Sequence, residues 1–124
     1  MARVLLIDDD PDLVEANRLV LSARGHDVQA AASAAEAREV LKVDAPDIVV
    51  LDVMMESDSA GFDLAREIHE RFPNLPTVLL TSIHQSKDTA LHFAQDPDWL
   101  PVLKIMDKPV DPAALADELD SILS

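Results

Sequence analysis

Cysteine is absent from this chain, which excludes disulfide staples, thiolate nucleophiles and cysteine-ligated metal sites and is compatible with a reducing compartment. Glycine occurs only twice, at Gly25 and Gly61, so no glycine-rich loop exists to cradle a phosphate, which disfavours a flavin or nucleotide module. Long apolar runs are missing as well. The four residues "VLLI" (4–7) that precede the first acids are too few for a signal-peptide core or a membrane span, so a cytoplasmic protein with no membrane association is expected. Basic residues are scarce: 10 Lys and Arg stand against 24 Asp and Glu, for a net charge of −14. Such a field repels a phosphate backbone and argues against direct nucleic-acid binding. A basic protein surface or a divalent cation suits it better, although an acidic surface also serves simply to keep a protein dispersed. Trp99, the only tryptophan, lies in "DPDWLP" and either covers a sheet edge or anchors a partner.

What is present is alternation. Apolar runs rich in Val, Leu and Ile predict five strands: "RVLLI" (3–7), "DVQAAA" (27–32), "DIVVLD" (47–52), "TVLLT" (77–81) and "VLKIMD" (102–107). Helical spacing fills the intervals. Residues 11–24 carry Leu13, Ala16, Val20 and Ala23 as the expected inward face, with Gly25 at the C-terminal cap. "SAAE" (33–36) reads as a capping box opening a second helix that ends near Lys42. A third helix is expected from Gly61 to Phe72 with Leu64, Ala65, Ile68 and Phe72 inward, and a weakly amphipathic fourth near 86–95. The fifth starts at an Asp111 cap with Pro112 in its first turn and buries Leu115, Leu119, Ile122 and Leu123. The 124 residues therefore read as one domain, 1–124, of α/β class: a doubly wound, five-stranded parallel sheet with five helices. No output domain is expected after the fifth helix.

Ligands of such sheets bind beyond the carboxyl ends of the strands. Here the first strand ends in Asp8-Asp9, the third in Asp52, the fourth in Thr81-Ser82 and the fifth in Asp107-Lys108, whereas the second ends in alanines. In the order 2-1-3-4-5 the four equipped strands are contiguous and the plain one is an edge. The run Asp8-Asp9-Asp10 has two readings, a helix cap or a cation site. Carboxylates without His or Cys suit a hard cation, Mg²⁺ above all. A carboxylate can also attack phosphorus when a metal and a cation neutralise the transferred oxygens; Lys108 supplies the cation and Thr81 a hydroxyl donor.

In "LLIDDDP", "DIVVLDVMM", "LLTS" and "DKPVDP", in order and compatibly spaced over the whole chain, the sequence resembles the receiver domain of bacterial two-component response regulators. The resemblance implies a flavodoxin-like fold and a phosphorylation-controlled switch in a phosphorelay. It implies Asp52 as phosphoacceptor, Asp9 as direct metal ligand, Asp8 placing metal-bound water, and the backbone carbonyl of Met54 as another ligand to Mg²⁺ or Mn²⁺. Thr81 would bond a phosphoryl oxygen and Lys108 would pair with the phosphoryl group, while Asp10 reads as a helix cap. The implied donor is a histidine kinase or histidine phosphotransfer protein. A downstream protein partner would engage the region of the fourth strand, fourth helix and fifth strand. No enzymatic turnover beyond self-phosphotransfer and self-dephosphorylation is implied.

The chain also departs from that family. Glu56 replaces the usual proline, one extra residue precedes Gly61, the segment between Thr81 and Lys108 is long, and Ile105 stands where an aromatic switch residue is common. Met54 and Ile83, both apolar, flank the expected approach of water to the phosphorus and predict slow self-dephosphorylation. His26, His69, His84 and His92 share no ligand spacing and are expected at the surface. Two rival functions use the same residues: a Mg²⁺-dependent phosphohydrolase of Rossmann-like fold, against which Met54 stands where a second acidic residue belongs, and a receiver-like adaptor that is never phosphorylated.

Overall fold

The computed structural model describes residues 2–52, 60–81, 103–107 and 110–123. The strands are β1 (Arg3–Ile7), β2 (Asp27–Ala31), β3 (Ile48–Asp52), β4 (Thr77–Thr81) and β5 (Leu103–Asp107). All four pairings are parallel and the order is β2-β1-β3-β4-β5, as expected. The described helices are α1 (Pro11–Ala23), α2 (Ala34–Val43), α3 (Ala60–Arg71) and α4 (Pro112–Leu123). The helix expected near 86–95 lies outside the described residues, and α4 is the fifth helix of the sequence pattern.

The period-2 alternation of strand side chains divides the core between two faces. Leu5, Ile7, Val49, Leu51 and Leu79 meet Ala37 and Leu41 of α2 and Leu64, Ala65 and Ile68 of α3. Val4, Leu6, Ile48, Val50, Val78 and Leu80 meet Leu21 of α1 and Leu115, Ala116 and Leu119 of α4. Strand β3 is buried along its whole length, which is why it reads as an unbroken apolar run; β2, at the edge, is half exposed.

Local chemistry sets the helix ends. Asp10 accepts from the backbone N–H groups of Asp12 (3.0 Å) and Leu13 (3.4 Å) and caps α1. At its other end Gly25 adopts φ +92°, with His26 N–H donating to the Leu21 carbonyl and Gly25 N–H to that of Ser22, a Schellman closure. Ser33 Oγ accepts from Glu36 N–H, and Glu36 Oε2 reaches back to accept from Ala32 N–H, so the capping box forms with its return bond one residue before the cap.

One helical face differs from expectation. In α1 the buried positions are Asn17 and Leu21, Val20 is only partly buried, and Ala23 is exposed. The apolar residues of α1 outline a stripe whose centre is occupied by a polar amide, so hydrophobicity alone rotates the predicted face by about one residue.

α1 and α4 are joined at the pole of the sheet opposite the acids. Arg24 Nη1 donates to Asp117 Oδ1 (2.6 Å) and Asp120 Oδ2 (3.1 Å), and His26 Nε2 meets Asp120 Oδ1 at 2.7 Å. Because Ala2 N–H donates to His26 Nδ1 (3.3 Å), Nε2 carries the proton toward Asp120. His26 is therefore a packed histidine with its side chain only 7% exposed, not the surface residue expected; its partners are far away in sequence.

Candidate functional site

Parallel pairing carries the carboxyl ends of β1 and β3 to one edge of the sheet. The register matches Ile7 with Leu51, so Asp8 and Asp52 emerge side by side one residue further on. Asp8 N–H donates to the Ala31 carbonyl at 3.0 Å, which extends the β1–β2 pairing past the strand and pins the Asp8 backbone. The Asp8 side chain is fixed in turn, since its Oδ1 accepts from Asp10 N–H at 2.9 Å. Asp8 and Asp52 are buried, whereas Asp9 stands at the solvent.

One carboxylate oxygen from each of Asp8, Asp9 and Asp52 lies within 4.8 Å of the other two. At about 4 Å two like charges repel by roughly 4 kcal/mol at an effective dielectric near 20, so the cluster is unfavourable unless something positive offsets it. The donor set is all oxygen and has an open side at Asp9, which fits a hard divalent cation that keeps part of its water shell. Asp10 stays out of this cluster because its carboxylate caps α1. The two readings of the acidic run thus belong to different residues, the cap to Asp10 and the cluster to Asp8 and Asp9.

β4 and β5 continue the same edge. Asp52 is matched with Leu80, and Thr81 with Asp107, so the ends of β3, β4 and β5 are contiguous. The backbone of Thr81 closes β4 next to the acids. The Thr81 side chain, Met54 and Lys108 lie outside what the structure describes, as do Glu56, Ile83, His84, His92 and Trp99. Asn17 is a buried polar residue beside this site that the sequence reading passed over. A polar residue at a position flanked by inward-facing apolar ones was the signal that could have found it.

A family model for the response regulator receiver domain matches residues 4–120. The chain belongs to this family. The receiver is 35% identical over 122 residues to the transcriptional regulatory protein GlrR of Escherichia coli, covering 98% of this chain and 26% of that one. It is 33% identical over 111 residues to the transcriptional regulatory protein AfsQ1 of Streptomyces coelicolor, covering 90% of this chain and 48% of that one. It therefore spans between a quarter and a half of these relatives. Among solved structures, the receiver domain of NtrX from Brucella abortus superposes with a TM-score of 0.80 at 26% identity, covering 97% of each chain. Receivers are signalling domains of two-component systems, controlled by phosphorylation and served by histidine kinases, and they generally hold Mg²⁺ in an acidic pocket. Among the described residues of this receiver, no helix is long and apolar enough to cross a membrane.

Proposed function

We propose that this receiver takes a phosphoryl group onto Asp52 from the phosphohistidine of a kinase or phosphotransfer protein, at a cation site built from Asp8, Asp9 and Asp52. The observation that supports this reading is the meeting of three carboxylates, two of them buried, at the ends of β1 and β3. An Asp52 oxygen attacks phosphorus, the P–N bond to the donor imidazole breaks, and the imidazole leaves with the bonding pair and takes up a proton. Mg²⁺, or Mn²⁺, held there would supply positive charge to neutralise the oxygens of the group in transfer. Asp8 and Asp9 would hold the cation together with the backbone carbonyl of Met54. Thr81 donates its hydroxyl to a phosphoryl oxygen and Lys108 offers its ammonium to the same group. The unit that does this is the single domain 1–124, with the segment from β4 to β5 as the surface that engages a downstream protein.

The test is incubation with Mg²⁺ and a small phosphodonor, read by intact mass. Wild type gains the mass of one phosphoryl group and Asp52→Asn gains none. A folded wild type without the adduct, or an Asp52→Asn variant that still carries it, removes the proposal.

A further inference from the structure

Asn17 breaks three local rules at once. It sits in the middle of α1, where asparagine is a poor helix former; it takes a buried place that an apolar side chain would fill; and its amide oxygen is unsatisfied. The residue is 6% exposed, and its Oδ1 is buried with no hydrogen-bond partner among the described residues. Buried carbonyl oxygens are normally paired, and departures of this kind concentrate where a residue serves function.

Asn17 lines a small cavity together with Asp8, and the remaining wall is mostly apolar, including Val14, Val50 and Leu80. The room for a water centre there is about 10 Å³, roughly the least that one molecule needs. A water has two protons to donate, and the two polar residues that line the cavity, Asn17 with its unpaired amide oxygen and Asp8 with its carboxylate, are both acceptors. A carboxylate has about four acceptor positions, so accepting from Asp10 N–H does not by itself exhaust it.

We infer that Asn17 is a positioning residue for the acid cluster: one water held between its Oδ1 and the Asp8 carboxylate sets the angle at which Asp8 faces the cation. Residues that orient a ligand from behind, without touching the metal, commonly change metal affinity by about tenfold or more when removed. The inference rests on the reading of Asp8, Asp9 and Asp52 as a cation site.

Three measurements test it on the full chain. In Mg²⁺ titrations by calorimetry, Asn17→Leu, which is similar in size but apolar, should bind about tenfold more weakly than wild type. Asn17→Ser, which keeps a polar oxygen and leaves room for a second water, should stay close to wild type. Asn17→Leu should melt at or above the wild-type temperature, so a purely structural role for Asn17 would appear as a change in melting with unchanged Mg²⁺ affinity. A high-resolution crystal structure of the wild type should hold a water within hydrogen-bond distance of both Asn17 Oδ1 and Asp8. Equal affinity in wild type and Asn17→Leu, equal weakening in Asn17→Ser and Asn17→Leu, or a dry cavity in that crystal overturns the inference alone. A wild type that does not bind Mg²⁺ removes the cation-site reading and the inference with it.

Discussion

Asp9 and Asp10 are adjacent acids whose carboxylates turn to different places, and the difference is measurable. Asp10 accepts two backbone N–H groups at the start of α1, while Asp9 turns its carboxylate toward Asp8 and Asp52. Asp10→Ala should therefore cost about 0.5–2 kcal/mol in chemical denaturation, the range for losing an N-cap, and keep the response to Mg²⁺. Asp9→Ala should do the reverse. Removing one of three crowded carboxylates relieves repulsion, so its stability without metal should equal or exceed wild type, but Mg²⁺ should no longer raise its melting temperature. If both variants respond to Mg²⁺ as wild type does, the division of labour is wrong.

Among the elements, α1 and α4 share one face of the sheet and are tied at their ends by Arg24, His26, Asp117 and Asp120. The hydrogen bond from His26, and then that from Arg24, hold the Asp120 carboxyl below its ordinary range; Asp117 foremost raises the Arg24 guanidinium. The depressed carboxyl has a definite sign in linkage. An acid whose folded pKa lies below its unfolded value stabilises the fold above the unfolded value, about 3.9 for aspartate, and loses that contribution as pH falls through the folded one. Asp120→Asn should thus lower stability at neutral pH and flatten the loss of stability below about pH 4 relative to wild type. Urea unfolding at a series of pH values measures both effects, and parallel curves for the two proteins would exclude the linkage.

Over the whole molecule a net charge of −14 is spread across a small domain, with acids on nearly every element. Self-repulsion destabilises the compact state, and salt screens it. Raising NaCl from about 0.01 M to about 0.15 M shortens the screening length from roughly 30 Å to roughly 8 Å, so the melting temperature should rise. On the proposed cation site, the Mg²⁺ effect should then persist at constant ionic strength, because a single site would produce it and not the atmosphere of counterions. Asp9→Ala should keep the response to NaCl while losing the response to Mg²⁺; a Mg²⁺ effect that vanishes at matched ionic strength would assign it to general screening.

The order of elements, the parallel sheet and the acidic strand ends were legible because they rest on local information. Strand runs such as "IVVLD" advertise burial on both faces, the Asp10, Ser33 and Gly25 caps act within a few residues, and the acids follow directly on the strands that carry them. Tertiary structure alone decided which side chains meet. It separated Asp9 from Asp10 by direction, brought Asp52 to Asp8 across a parallel pair, buried His26 against Asp120, and turned α1 so that Asn17 faces the cavity behind Asp8. The reason is that helical or strand periodicity specifies a face only to within about one residue. The partners of a buried polar group come from distant segments, whose placement depends on strand order and on the packing of every helix at once.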